Sequence, residues 1–428
     1  MIMKQDDIRY QTYLQILKEE LVPAMGCTEP IAIAYGSAKA RELLGTIPDK
    51  VVIEVSANII KNVKSVVVPN TNGLKGIEAA VSIGIMAGKS EKILEVISQA
   101  SEEEKKAAKE YMERKCIQVK LADTSLIFDI IITMYSKQSY VKLRIADYHT
   151  NIVYIEKNSE ILYNVGKVEA KEKGLTDKGL LNVKDIVDFA DSVLIDDVRE
   201  ILERQIQYNS AIARAGIEND YGANIGNVIL KTYGNDVKIR AKAMAAAASD
   251  ARMSGCELPV IINSGSGNQG IAASLPVIEY AKELKVDEDK LLRALVVSNL
   301  VTIHQKTGIG RLSAFCGAVC AGCGSGTGIA YLHGCGYKEI AHTLVNAVAI
   351  VSGIICDGAK PSCAAKIATS VDAGILGYYM YKEGQQFRGG DGIVAKGVEN
   401  TITNVGYLGK VGMKETDKEI INIMLKKC

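Results

Sequence analysis

The chain has 428 residues and a formal net charge of +1, with 51 Lys and Arg nearly cancelling 50 Asp and Glu. That balance offers no field for nucleic acid or an anionic membrane, which excludes a polyelectrolyte binder and favours a small-molecule enzyme or an assembly. Apolar residues make up 48% of the chain, and at this length two domains are expected rather than one core.

The N-terminal stretch MIMKQDDIRYQTYLQ is polar and acidic, so no secretory leader is expected. Residues 7–21 and 31–45 carry apolar residues at helical spacing, with Pro30 placed for a helix start. KVVIEVSANII (50–60) alternates as a strand does. GLKGIEAAVSIGIMAG and SEKILEVISQAS return to helical spacing, and EEEKKAAKEYMERK (102–115) predicts a solvated helix. Strand-like stretches follow at 116–121, 126–135, 139–145 and 151–156, then a polar linker at 164–180. Beyond it the spacing predicts helices over 183–191, 197–217, 236–253, 270–285, 288–303 and 337–355, rich in Ala and Gly. The expected fold class is α+β: a mixed domain over 1–170, then a mostly helical domain over 171–428 with Gly-rich loops. The longest apolar run, TLVNAVAIVSGIIC (343–356), contains Asn346 and Ser352 and is too short to span a bilayer. The expected location is cytoplasmic.

In a reducing compartment the ten cysteines read as metal-binding or catalytic before they read as disulfides. LSAFCGAVCAGCGSGTG (312–328) holds Cys316, Cys320 and Cys323. On a helix the three would share a face; in a loop they could converge on a metal. Structural zinc takes four ligands, usually as two short pairs, and no second C-x2-C pair exists here. The C-x3-C-x2-C spacing resembles that of the radical S-adenosylmethionine enzymes, but those place it after an early strand, whereas here it lies late among helices. Cys320 and Cys323 also suit simple packing as small hydrophobes. Further on, CDGAKPSC (356–363) turns sharply at Gly358 and Pro361 and presents Cys356 and Cys363 from one loop. Thiols drawn from both loops suit an iron–sulfur cluster with one unliganded iron.

Five blocks in order, MGCTEPIAIAYGSAKARE (25–42), VVVPNTNGLKG (66–76), INSGSGNQGIAASLPV (262–277), AFCGAVCAGCGSGTGIAYLHG (314–334) and CDGAKPSC (356–363), together resemble the cluster-dependent L-cysteine desulfidases. That group is related to the α chain of bacterial iron–sulfur L-serine dehydratases. The resemblance covers nearly the whole chain. It implies a [4Fe–4S] cluster held by Cys316, Cys356 and Cys363, and Cys27 as the catalytic thiol. It does not implicate Cys320 or Cys323; related dehydratases place a C-terminal thiol on the cluster, but here Lys426-Lys427-Cys428 reads as a frayed chain end.

Cys27 precedes a helix start, whose positive end is expected to lower its pKa and make it a usable base. VIINSGSGNQGIAAS contains G-x-G-x-x-G at Gly265, Gly267 and Gly270, but the strand context of a dinucleotide fold is missing. Such a loop leading into a helix turns amides outward and suits an anion. The anion expected is an amino-acid carboxylate, and the candidate substrate-binding residues are Glu29, Asn70, Thr71, Ser264, Ser266, Gly267, Asn268 and Gln269. His304, Lys306, Arg311 and Lys360 are further candidates for charge near the thiols. The expected activity is cluster-dependent β-elimination of L-cysteine, with L-serine dehydration or a non-catalytic redox sensor as the alternatives. The partners expected are a small amino-acid substrate and further copies of the chain in a homo-oligomer, with no nucleic acid and no membrane.

Overall fold

A computed structural model describes residues 3–166, 175–310 and 312–424. The first half runs α1 (Ile8–Glu20), β1 (Pro23–Met25), α2 (Thr28–Leu44), β2 (Lys50–Val55), α3 (Ala57–Val63), α4 (Gly76–Met86), α5 (Glu102–Glu113), β3 (Ile117–Leu121), β4 (Asp129–Ser136), β5 (Ser139–Ala146), β6 (Ile152–Lys157) and β7 (Glu160–Asn164). The second half runs α6 (Val183–Ser192), α7 (Ile195–Glu218), α8 (Ile225–Tyr233), α9 (Val237–Met253), β8 (Pro259–Ile261), α10 (Gly267–Leu284) and α11 (Glu288–Ile309). It ends with α12 (Gly317–Leu332), α13 (Tyr337–Val351), α14 (Cys363–Lys382), α15 (Val398–Tyr407) and α16 (Lys414–Met424). The α+β class expected from the sequence is what forms: a sheet-containing N-terminal part and a mostly helical remainder.

Six strands form one sheet in the order β3-β2-β4-β5-β6-β7, with β2 and β3 parallel and the other pairs antiparallel. The inward residues of β2, Val51, Ile53 and Val55, are fully buried, as are Ile130, Ile132 and Met134 of β4. α2 covers this face, and Gly36 lets it come close: a Cβ there would stand 2.9 Å from the Ile132 Cδ1. α1 belongs to the other layer. Tyr10 and Tyr13 pack edge-on against Phe189 of α6 at 5.2 and 5.5 Å between ring centroids. One hydrophobic core continues from α1 and the sheet through to α15.

Several local expectations change. The strand read over 50–60 stops at Val55, because Ser56 starts α3, where Ile59, Ile60 and Val63 recur at helical spacing. The helix expected over 90–101 is only a 3₁₀ segment, Ser90–Glu95, interrupted at Ile93 (φ 52°). Its neighbours Leu94, Val96 and Ile97 turn inward there and are buried. Part of the expected linker, residues 167–174, lies outside the described residues. The Gly-rich stretch after Cys316, read as loop, is the buried helix α12. Each glycine weakens a helix by about 1 kcal/mol relative to Ala. Here close packing offsets that cost: a Cβ on Gly322 would lie 2.3 Å from the Ser370 carbonyl carbon, and one on Gly326 2.5 Å from the Gly374 carbonyl oxygen. α12 and α14 therefore run parallel with their backbones touching, which brings their N-termini side by side.

Candidate active site

Two short pairings and one helix crossing assemble the site. β1 pairs antiparallel with β8, Pro23 opposite Ile261 and Met25 opposite Pro259, and each strand leads into a turn and a helix start. The Thr28 hydroxyl then donates to the Gly265 carbonyl at 3.0 Å, latching the start of α2 to the Gly-rich loop. That loop turns through Ser264 (φ 51°) and Gly265 (φ 78°) before Ser266 opens α10. The second pairing is a single antiparallel bridge, Phe315 opposite Ile355. Cys316 N donates to Ile354 O at 3.0 Å and Cys356 N to Ala314 O at 2.6 Å, so both thiols lie on one face of the bridge. Cys363, the first residue of α14, joins them through the α12–α14 crossing.

Cys27, Glu29, Ser264, Ser266, Asn268, Gln269, Cys316, Cys356 and Cys363 all line one cavity of about 110 Å³, at the convergence of the N-termini of α2, α10, α12 and α14. Their aligned dipoles favour negative charge at that point. Lys61, Asn62, His149, Arg252 and Lys306 complete the polar wall. The Cys316 thiol donates to Cys356; this bond, with Lys61 and Lys306 nearby, outweighs burial and holds Cys356 well below the ordinary thiol range. The same contact, with burial, pushes Cys316 up, and burial raises Cys363.

Cys27 behaves differently from the sequence expectation. Its thiol donates to Glu29 Oε2 at 3.0 Å. Burial, then the Glu29 charge, push it well above its usual value despite the helix start and Arg252. The helix-end effect is worth at most about 2 kcal/mol, less than the cost of burying a thiolate beside a carboxylate. Burial also pushes Glu29 up, but the His149 charge, the Cys27 hydrogen bond and Arg252 outweigh it, and the carboxyl titrates below its usual range. The second Glu29 oxygen accepts from Asn62 Nδ2 at 3.0 Å.

Asn70 and Thr71 are not brought to the cavity. Asn70 Nδ2 donates to Ile97 O at 2.7 Å and the Thr71 hydroxyl to Val68 O at 2.6 Å, so both tie down their own loop. That loop supports the site from behind: a Cβ on Gly26 would lie 2.7 Å from Pro69 Cγ. Gly267 starts α10 beneath the Arg252 side chain. Cys320 and Cys323 point into helix packing within α12, where burial raises Cys320 to about 11. His304 Nε2 meets Glu399 Oε2 at 2.6 Å and links α11 to α15 instead. Lys360 pairs with Asp357 in its own turn, while Lys306 does line the cavity. Arg311 and Cys428 lie outside the described residues. Sequence reasoning missed Lys61, Asn62, His149 and Arg252. Each sits inside an element that reads as ordinary helix or strand connection, with no motif around it.

The donor set suits an iron–sulfur cluster. Three thiols from two loops face one cavity, with cationic side chains close by to offset thiolate charge. Among the described residues, no group of three His, Cys, Asp or Glu side chains could hold a metal ion directly. Thiols binding separate corners of a cluster do not need to meet at one point. Among the same residues, no helix is long and apolar enough to cross a membrane.

Residues 91–422, which include Cys316, Cys356 and Cys363 but not Cys27, match the model of the serine dehydratase alpha chain, and the chain belongs to that family. Among its relatives, a UPF0597 protein of Desulfitobacterium hafniense is 74% identical over 428 residues, covering 100% of both chains. A UPF0597 protein of Lachnoclostridium phytofermentans is 52% identical over 97% of this chain and 100% of its own, and one of Fusobacterium nucleatum 44% identical over 98% and 100%.

Proposed function

We propose that this serine-dehydratase-like lyase is an L-cysteine desulfidase, converting L-cysteine and water to pyruvate, ammonia and sulfide by β-elimination. The observation that carries this reading is the meeting, in one small cavity, of three cluster-type thiols, the Cys27–Glu29 pair and a Gly-rich helix start. Cys316, Cys356 and Cys363 would hold a [4Fe–4S] cluster, which would supply Lewis acidity for the departing β-substituent. A soft sulfur leaving group suits such a site.

The chain's own residues do the rest. The turned loop at Ser264–Ser266, with Asn268 and Gln269, holds the substrate at the α10 N-terminus. Glu29 Oε2 lies 3.0 Å from Cys27 Sγ and accepts the thiol proton in the same step in which Cys27 receives the Cα proton, so that no free thiolate forms beside the carboxylate. Asn62 keeps the Glu29 carboxylate oriented through its other oxygen. The small cavity limits free water around the reacting atoms, and fixed positions for base and substrate lower the barrier further. Aminoacrylate, once released, tautomerises and hydrolyses without assistance.

L-Serine dehydration is the second reading, favoured by the family to which the chain belongs. Anaerobic reconstitution followed by assay separates the possibilities. Sulfide and pyruvate from L-cysteine support the desulfidase; pyruvate from L-serine alone replaces it with the dehydratase. Activity on neither, with a reversible optical change on oxidation, would leave only a redox sensor.

A further inference from the structure

Arg252 is 2% exposed at the end of α9, yet its guanidinium lies against the start of α10, where the helix dipole is positive. Two cationic features abut in a buried place; the Cys27 thiol and the Glu29 carboxylate act on this arginine from across the cavity, but they leave its Nε unmet. Its Nη1 donates to Asn268 Oδ1 at 3.1 Å, while Nε has no hydrogen-bond partner. Gly267 is required for this placement: a Cβ there would sit 2.2 Å from Nε. A short distance along α10, Gln269 is 4% exposed and its Oε1 also lacks a partner. Both residues line the cavity. A buried guanidinium N–H without an acceptor, and a buried amide oxygen without a donor, are each costly unless something fills the site.

We infer that Arg252 and Gln269 form a zwitterion reader, in which the guanidinium takes the substrate's α-carboxylate and the Gln269 carbonyl takes its α-ammonium. The two orphaned atoms have the opposite polarities that a free amino acid presents on one carbon. Arginine supplies a planar fork that matches a carboxylate, and the helix start reinforces the same charge. The consequence is a substrate class: free α-amino acids, excluding thiols and amines that lack the carboxylate, and excluding peptides and amides. The inference rests on the lyase reading for its location, but it concerns recognition and not the eliminated group.

The test uses L-alanine, which has nothing to eliminate, L-alaninamide, which has the same shape without the carboxylate charge, and propionate, which lacks the ammonium. Binding to the anaerobically loaded protein is measured by calorimetry. Wild type is expected to bind L-alanine and to bind alaninamide and propionate at least tenfold more weakly. Arg252→Gln is expected to lose about 30-fold or more in L-alanine affinity with no loss for alaninamide, and Arg252→Lys to recover part of it. Iron content of each variant shows that the cluster is retained. Equal binding of L-alanine and L-alaninamide by wild type, or no L-alanine binding, overturns the inference whether or not the variants fold; so does unchanged L-alanine affinity in Arg252→Gln. If discrimination appears while neither L-cysteine nor L-serine is consumed, the lyase reading fails and the reader stands. If turnover occurs without discrimination, the reader alone fails.

Discussion

Gly326 of α12 rests directly on Gly374 of α14; a Cβ on the first would be 2.5 Å from the carbonyl oxygen of the second. This contact lies well away from the thiols but sets their spacing, because Cys316 and Cys363 head the two helices. Gly326→Ala is expected to push the helices apart and cost about 2 kcal/mol or more of stability. The same variant is expected to hold less iron per chain after anaerobic reconstitution than wild type. Chemical denaturation and iron analysis read the two effects, and a destabilised variant with full iron content would separate the crossing from the cluster site.

The cysteines divide into two groups by position, and substitution distinguishes them. Cys316→Ala, Cys356→Ala and Cys363→Ala are each expected to lose most iron and acid-labile sulfide. Cys320→Ala and Cys323→Ala, buried in helix packing off the cavity, are expected to keep the cluster at a cost of about 1 kcal/mol each. Cys27→Ala is expected to keep its iron and lose turnover by about 10² or more, the usual worth of a positioned acid or base. Full iron in Cys316→Ala would refute the ligand set.

A buried amide network holds the Gly-rich loop in its turned shape. Asn299 Oδ1 accepts from Gln205 Nε2 at 3.1 Å and from Asn263 Nδ2 at 3.0 Å, and Asn263 Oδ1 accepts from the Ser264 hydroxyl at 2.9 Å. Asn299→Leu would strand the Gln205 amide and leave Asn263 Nδ2 only its longer bond to the backbone carbonyl of residue 299, at 3.3 Å, and is expected to cost about 3 kcal/mol. With the loop released, KM for the amino acid is expected to rise more than kcat falls, measurable by steady-state kinetics on the loaded enzyme. An unchanged KM would show that the loop keeps its shape unaided.

Much of the site was legible because its chemistry is written in local motifs. Cys27, Cys316, Cys356 and Cys363 all sit beside turns or helix starts, where Gly and Pro mark the chain, and the loop at 264–269 carries its own glycines. Asn70 and Thr71 sit in an equally polar turn, yet face their own backbone, since Pro69 rather than either side chain is what reaches the Cys27 turn. α12 was hidden because its glycines are a tertiary feature: helix propensity argues against them, and only the partner helix explains them. Arg252 was hidden for a related reason. It closes an Ala-rich helix with no motif, and its importance depends on Gly267 being opposite it in space.

Asp250, two residues before Arg252 in sequence, gives the fold a pH dependence that can be measured separately. Its Oδ2 accepts from Ile225 N at 2.7 Å and Gly226 N at 3.4 Å, capping α8, while Oδ1 has no partner. Burial outweighs these bonds and pushes the carboxyl up to about 6. The native state then binds this proton more tightly than the unfolded chain, so the contribution is fully present below about pH 4. It is lost as pH rises through about 6. Asp250→Asn keeps an acceptor for α8 without the charge. The difference in unfolding free energy between variant and wild type is therefore expected to move in favour of the variant as pH rises from 4 to 7, with most of the change complete by neutrality. Parallel denaturation curves across that range measure it, and a pH-independent difference would mean that the carboxylate is solvated well enough to ionise normally.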